Sequence, residues 1–136
     1  MSLVDASVWI DFFAGRSTRE VSELKRQLEG GDLIHTCGVI LTEVLQGIRQ
    51  DEDYRRTLLR FKELVYLPMR RQTFLAAADI YRSLRRQGIT IRKSVDCMIA
   101  AVAIEHKVPL LHNDRDFDPM EAHCGLKVVK PTERNA

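Results

Sequence analysis

The residues of this sequence best suited to chemistry are aspartates placed beside short apolar runs. They follow two of these runs and open a third: Asp5 after SLV (2–4), Asp114 and Asp116 after LLH (110–112), and Asp96 near the start of SVDCMIAAVAIEH (94–106). If the first two runs are parallel strands, their carboxyl ends meet at the edge where open α/β sheets bind ligands. The helix that begins near Asp96 directly precedes the strand at 110–112, so it brings a third acid to that edge.

Carboxylates gathered at one edge favour a divalent cation. Two unit charges about 4 Å apart repel by about 4 kcal/mol at an effective dielectric constant of 20, so several carboxylates cannot all stay ionised there without a counter-ion. Oxygen ligands without histidine or cysteine select Mg²⁺ or Mn²⁺ over zinc. Such a cation can lower the pKa of a bound water and so prepare it as a nucleophile.

Each acid also has an ordinary structural explanation. Asp5 can cap the first helix, and the acids of NDRDFDP suit a turn. The helix dipole favours Asp96 by about 0.3–1 kcal/mol, but its helix is apolar on all sides and is expected to be buried. Because burying an unpaired carboxylate costs several kcal/mol, Asp96 needs a cation nearby: Lys93, Arg92 or a metal.

The elements that hold these side chains alternate between short strands and helices. Strands are predicted at 2–4, 33–36, 65–68 and 110–112, with a possible fifth at 127–130. Helices are predicted at about 7–14, 18–29, 39–50, 52–64, 72–87 and 94–107. The alternation predicts the α/β class, with a parallel sheet covered on both faces. We expect residues 1–130 to form a single domain and residues 131–136 to form a loose tail.

The composition indicates a folded protein but does not indicate a particular function. The 136 residues are 45% hydrophobic and 29% charged, as in folded proteins, and the net charge of +2 is too mild to indicate a nucleic-acid binder. Basic doublets, such as Arg92 with Lys93, fit either solvated helix faces or an anionic partner. Three cysteines without a C-x-x-C pair and no membrane-spanning run favour a cytoplasmic protein. A zinc site at His112, His123 and Cys124 lacks a fourth ligand.

The sequence resembles the PIN-domain ribonucleases, and most closely the VapC-type toxins of bacterial toxin–antitoxin pairs. The likeness lies in VDASVWIDFF, a later helix that carries Glu43, and D-x-x-I-A-A-x-A followed by a strand and N-D-x-D-F. It extends from residue 2 to about residue 129. The resemblance implies a three-layer α/β/α sandwich with about five short, mainly parallel strands, and an endoribonuclease that depends on Mg²⁺ or Mn²⁺.

The resemblance also assigns roles to individual residues. It implies the catalytic acids Asp5, Glu43, Asp96, Asp114 and Asp116, of which Asp5, Asp96 and Asp114 bind the metal. Glu43 would orient or deprotonate the attacking water, or hold a second metal, although its helical face alone suits solvent and a cleft equally well. Ser7 would form hydrogen bonds in the site, and Arg92 and Lys93 would attract the RNA backbone. Asp11 and Asp118 match no catalytic position.

One position departs from the family pattern, and the partners are implied by the resemblance alone. His112 stands where threonine or serine is expected, which bears on how Asp114 is oriented. The implied partners are RNA, a small antitoxin whose C-terminal segment lies across the acidic cleft, and a second copy in a homodimer.

Two other functions fit parts of the pattern. A phosphoacceptor α/β domain needs a second acid close to Asp5, but residues 5–9 are Asp, Ala, Ser, Val and Trp. A PIN-like module that binds RNA or protein without cleaving it would be expected to have lost acids, and this chain keeps all of them.

Overall fold

Four short parallel strands form the centre of the molecule in the computed structural model, which describes residues 1–131. They are β1 (Ser2–Val4), β2 (Ile34–Thr36), β3 (Val65–Tyr66) and β4 (Leu110–Leu111), in the order β3-β2-β1-β4. Leu3 pairs with His35 on one side and with Leu110 on the other. Strands β1 and β4 are wholly buried, which explains why their sequences show no alternation between apolar and charged residues.

Seven α-helices flank the sheet within the described residues and complete the expected α/β/α arrangement. They are α1 (Ala6–Phe13), α2 (Arg19–Gly30), α3 (Gly38–Gln46), α4 (Asp51–Lys62), α5 (Arg71–Arg86), α6 (Ser94–His106) and α7 (Asp118–His123). Helix α3 ends four residues earlier than predicted, at the cap Gly47. Helix α7 was not predicted, although a proline in its first turn is a typical start signal.

The expected fifth strand at 127–130 is reduced to one bridge. Val128 forms an isolated parallel bridge with Leu110. Two backbone hydrogen bonds hold this segment, from Leu110 N to Lys127 O (2.9 Å) and from Val129 N to Leu110 O (2.8 Å). The segment therefore adds a single bridge beside β4 and not a regular strand. Of the predicted tail at 131–136, all but Pro131 lies outside the described residues.

Helix α6 runs through the interior. Cys97 and residues 99–103 are buried, and the helix packs against α5 and α3. This confirms the prediction from its apolar sequence, and it carries Asp96 into a position that is only 2% exposed. Across the chain from residue 1 to 131, no helix is both long enough and apolar enough to cross a membrane.

Candidate active site

The first turn of α6 and the turn after β4 bring three carboxylates together. Side-chain oxygens of Asp96, Asp114 and Asp116 all lie within 4.8 Å of one another. Asp96 is buried, whereas Asp114 and Asp116 are partly open to solvent. A buried carboxylate with two more accessible ones is a set of hard oxygen ligands that a cation can reach from one side.

Asp5 lies at the carboxyl end of β1 and also caps α1. Its Oδ2 accepts hydrogen bonds from the backbone N–H of Ser7 (3.0 Å) and from Ser7 Oγ (2.6 Å). Burial raises the pKa of Asp5 above its usual range, although the bonds from Ser7 oppose the shift and the charge of Asp114 adds to it. The capping explanation is therefore correct, and the capping carboxylate also lies in the electrostatic field of the cluster.

Ser7 connects the two strand ends that carry the acids. Its hydroxyl donates to Asp5 and accepts the backbone N–H of Asn113 at 3.0 Å. The Asn113 side chain in turn donates to Asp11 Oδ2 at 3.3 Å. Neither the contacts of Asn113 nor this role of Asp11 was predicted from the sequence. Asn113 stands in the N-D-x-D-F motif, and Asp11 lies one helical turn after Ser7. Both features are visible in the sequence and could have indicated these contacts.

Glu43 faces the acids from α3. It is half-buried, and burial followed by the charge of Asp5 raises its pKa. The charge of Lys93 lowers the pKa of Glu43, and the charge of Asp114 raises it. Of the two faces that the helical periodicity allowed for Glu43, the structure selects the one directed at the cleft.

Asp96 is the carboxylate most in need of a cation. Its Oδ2 is buried without a hydrogen-bond partner. Burial raises its pKa to about 7, Lys93 opposes that shift, and the charges of Asp5, Asp114 and Glu43 reinforce it. An unpartnered buried oxygen among carboxylates fits a divalent cation. Among the described residues, Asp96, Asp114 and Asp116 are the one group of acids, histidines or cysteines close enough together to hold a metal ion. His112, His123 and Cys124 do not come together as a zinc site.

The two basic residues before α6 lie against this cluster. Lys93 Nζ is 3.6 Å from Asp114 Oδ2 and 3.9 Å from Asp96 Oδ2. An Arg92 guanidinium nitrogen is 3.2 Å from Asp116 Oδ2. The prediction that Asp96 needs a cationic neighbour is thus confirmed, and both basic side chains also face solvent, with 81% of Arg92 and 53% of Lys93 exposed.

His112 supplies the support for Asp114 that the family pattern assigns to a hydroxyl. Its Nδ1 accepts the backbone N–H of Asp114 at 3.1 Å, and its ring packs against Phe117 with the ring centroids 4.9 Å apart. Burial lowers the pKa of His112, which favours the neutral ring that this acceptor role requires. Asp118 is exposed, as expected.

Comparison with known proteins places this geometry in a family. The PIN domain model matches residues 2–122, a span that contains all five acids. The chain belongs to the PIN-domain family. Among curated PIN-domain relatives, Ribonuclease VapC11 of Mycobacterium tuberculosis is 37% identical over 131 residues, which are 95% of this chain and 98% of the relative.

Solved structures agree with the PIN fold. The chain matches VapBC2 from Rickettsia felis, bound to a promoter DNA fragment, with a TM-score of 0.74 and 15% identity over 94% of this chain and 96% of that one. It matches VapBC-1 from nontypeable Haemophilus influenzae with a TM-score of 0.74 and 20% identity over 97% and 98%. At these identities the likeness concerns the fold alone.

Proposed function

We propose that this PIN-domain protein is a divalent-metal-dependent endoribonuclease and the toxin of a toxin–antitoxin pair. The observation that carries the proposal is the buried, unpartnered Oδ2 of Asp96 beside the carboxylates of Asp114 and Asp116. A relative that matches almost the whole chain is named a ribonuclease, which supports the same activity.

In the proposed reaction, water attacks an RNA phosphodiester and one P–O bond of the backbone breaks. Asp96 and Asp114 of the cluster, together with Asp5 at the end of β1, would hold Mg²⁺ or Mn²⁺. The metal would supply positive charge at the phosphate and lower the pKa of a bound water. Glu43 orients the attacking water or takes its proton, a role suited to a carboxylate whose pKa is raised. Asp116 is assigned to a supporting position, where it holds Arg92 at the opening of the site.

The substrate-facing residues are assigned to the solvent side of the cluster. An acidic cleft repels RNA, so the phosphate backbone needs cationic groups at the rim. Arg92 and Lys93 are exposed enough to meet phosphates there. Ser7 keeps its place in the site by holding Asp5 and Asn113.

The related proteins support a partner for this chain. Several structural relatives are described as VapBC or toxin–antitoxin complexes, which supports an antitoxin partner for this chain. We infer further that the C-terminal segment of a small antitoxin occupies the acidic cleft, that two copies of the chain form a homodimer, and that residues 1–130 act as a single domain. Three free thiols and a cellular RNA substrate support a cytoplasmic location.

RNA cleavage by antitoxin-free protein tests the activity. The wild type should cut RNA with Mg²⁺ or Mn²⁺, Asp96→Asn should not, and Asp79→Asn should cut normally because Asp79 is exposed on α5. If the wild type binds RNA but cuts none with either metal, the chain is a binding module and the nuclease proposal fails. Co-purification of a small protein encoded next to this chain tests the antitoxin.

A further inference from the structure

Lys93 places one positive charge between two carboxylates of the cluster. Its ammonium lies 3.6 Å from Asp114 Oδ2 and 3.9 Å from Asp96 Oδ2. At 3.9 Å the contact with Asp96 is an ion pair and not a hydrogen bond, so the buried Oδ2 still lacks a hydrogen-bond donor. The ammonium therefore offsets part of the negative charge of the two acids but leaves the buried Oδ2 of Asp96 without a hydrogen bond.

The backbone of Lys93 is fixed at the start of α6, whereas its side chain is half exposed. Lys93 is the N-cap residue of α6 in an extended conformation, and its carbonyl accepts the N–H of Asp96 at 3.1 Å. The side chain is 53% exposed. A flexible four-carbon stem can swing into solvent from this position while the helix start stays intact.

We propose that Lys93 is the resident counter-ion of the acid cluster, which a divalent cation displaces on binding. Two cations cannot share the space beside Asp96 and Asp114 without strong repulsion. Cation entry thus releases the ammonium at the opening of the site, where it can pair with an RNA phosphate. This last step rests on the proposed nuclease function, whereas the displacement itself does not.

Arg92 contacts a different acid of the cluster from the two that Lys93 contacts. Its guanidinium contacts Asp116 and is 81% exposed. It has no ion pair with Asp96 among the described residues. Removal of Arg92 should therefore change metal affinity less than removal of Lys93, although each substitution removes one positive charge next to the cluster.

Calorimetric titration with Mn²⁺ alone, at pH 8 and without RNA, tests the displacement. Lys93→Gln should bind Mn²⁺ about fivefold more tightly than the wild type, because an exposed ion pair no longer has to be broken. Arg92→Gln should show a smaller gain. Lys62→Gln, an equal charge change on the exposed side of α4, should leave the affinity unchanged.

The same variants separate this inference from the nuclease proposal. At saturating metal, Lys93→Gln should bind RNA more weakly than the wild type, and Lys93→Arg, which keeps the charge, should stay close to the wild type in both measurements. Unchanged or weaker Mn²⁺ binding by folded Lys93→Gln overturns the counter-ion role even if the wild type cuts RNA. A wild type that cuts no RNA overturns the nuclease proposal, but the Mn²⁺ titration still decides whether Lys93 is the counter-ion.

Discussion

The backbone N–H of Asp114 donates a hydrogen bond to Nδ1 of His112, two residues earlier, at 3.1 Å. This bond orients the turn after β4 so that Asp114 meets Asp96. A histidine thus performs in this chain the positioning that the family pattern assigns to threonine or serine.

His112→Phe should slow RNA cleavage about tenfold, since loss of a residue that orients a metal ligand typically costs 10- to 100-fold. The phenyl ring keeps the packing against Phe117 but accepts no hydrogen bond at this position. His112→Thr, which restores an acceptor, should cleave faster than His112→Phe. Steady-state cleavage rates at saturating metal check this, and equal rates for the wild type and His112→Phe would contradict the role.

Asp96→Asn should flatten the pH dependence of stability in metal-free protein. Burial raises the pKa of Asp96 from 3.8 to about 7 in the folded state, so between these values the folded chain binds a proton that the unfolded chain releases. The contribution of Asp96 to the free energy of unfolding therefore falls as the pH rises through this window. Urea unfolding of both proteins in EDTA at pH 5 to 8 measures it.

The comparison with the variant isolates Asp96 from the other shifted groups. Asp5 and Glu43 have raised pKa values and act in the same direction, whereas the lowered pKa values of His35 and His112 act in the opposite direction below about pH 6.5. Asp96→Asn should thus gain stability relative to the wild type from pH 5 to 8. Parallel curves for the two proteins would show that Asp96 is ionised throughout.

Mg²⁺ should raise the melting temperature of the wild type more at pH 8 than at pH 6. A proton on Asp96 competes with the cation, and the pKa of about 7 lies between the two conditions. Thermal scans with Mg²⁺ or EDTA measure the difference. The Mg²⁺-dependent shift should disappear in Asp96→Asn and persist in Asp79→Asn, and an equal shift at both pH values would speak against metal binding through Asp96.

Ser7→Ala should destabilise the protein by about 1–2 kcal/mol, because it removes a hydroxyl that bonds to both Asp5 and Asn113. Cleavage should also slow, because Asp5 loses its shortest hydrogen bond. Ser83→Ala on α5 serves as the matched control and should change stability by less than about 0.5 kcal/mol. Urea midpoints measure the loss of stability. Equal losses for Ser7→Ala and Ser83→Ala would show that the Ser7 hydroxyl does not stabilise the contact between the ends of β1 and β4.

Glu43→Gln should lower kcat about 100-fold while Mn²⁺ binding weakens less than in Asp96→Asn. The amide keeps the shape of the side chain but cannot take a proton from water. Cleavage rates and Mn²⁺ titration give the two readouts. If Glu43→Gln loses metal affinity as fully as Asp96→Asn, Glu43 is a ligand and not the group that acts on water.

Local sequence alone determined the elements that carry the site. An apolar run without a polar face determined α6 as a buried helix. The short, uncharged segments around Leu3 and Leu110 determined β1 and β4, because a segment covered on both sides shows no contrast between faces. Asp96 could be identified for the same reason, since a single acid in such a run has to be satisfied from outside its own helix.

Only the tertiary structure decided which side chains meet at the acids. The periodicity of α3 allowed Glu43 to face solvent or the cleft, and the position of α3 beside the sheet resolved the choice. The 127–130 segment has a strand-like sequence but forms only a single bridge, to Leu110. Lys93 reaches Asp114, and Arg92 reaches Asp116, only because the fold brings the start of α6 beside the turn after β4. Periodicity records how polar each face of a segment is, whereas the partner of a face depends on how all the segments pack.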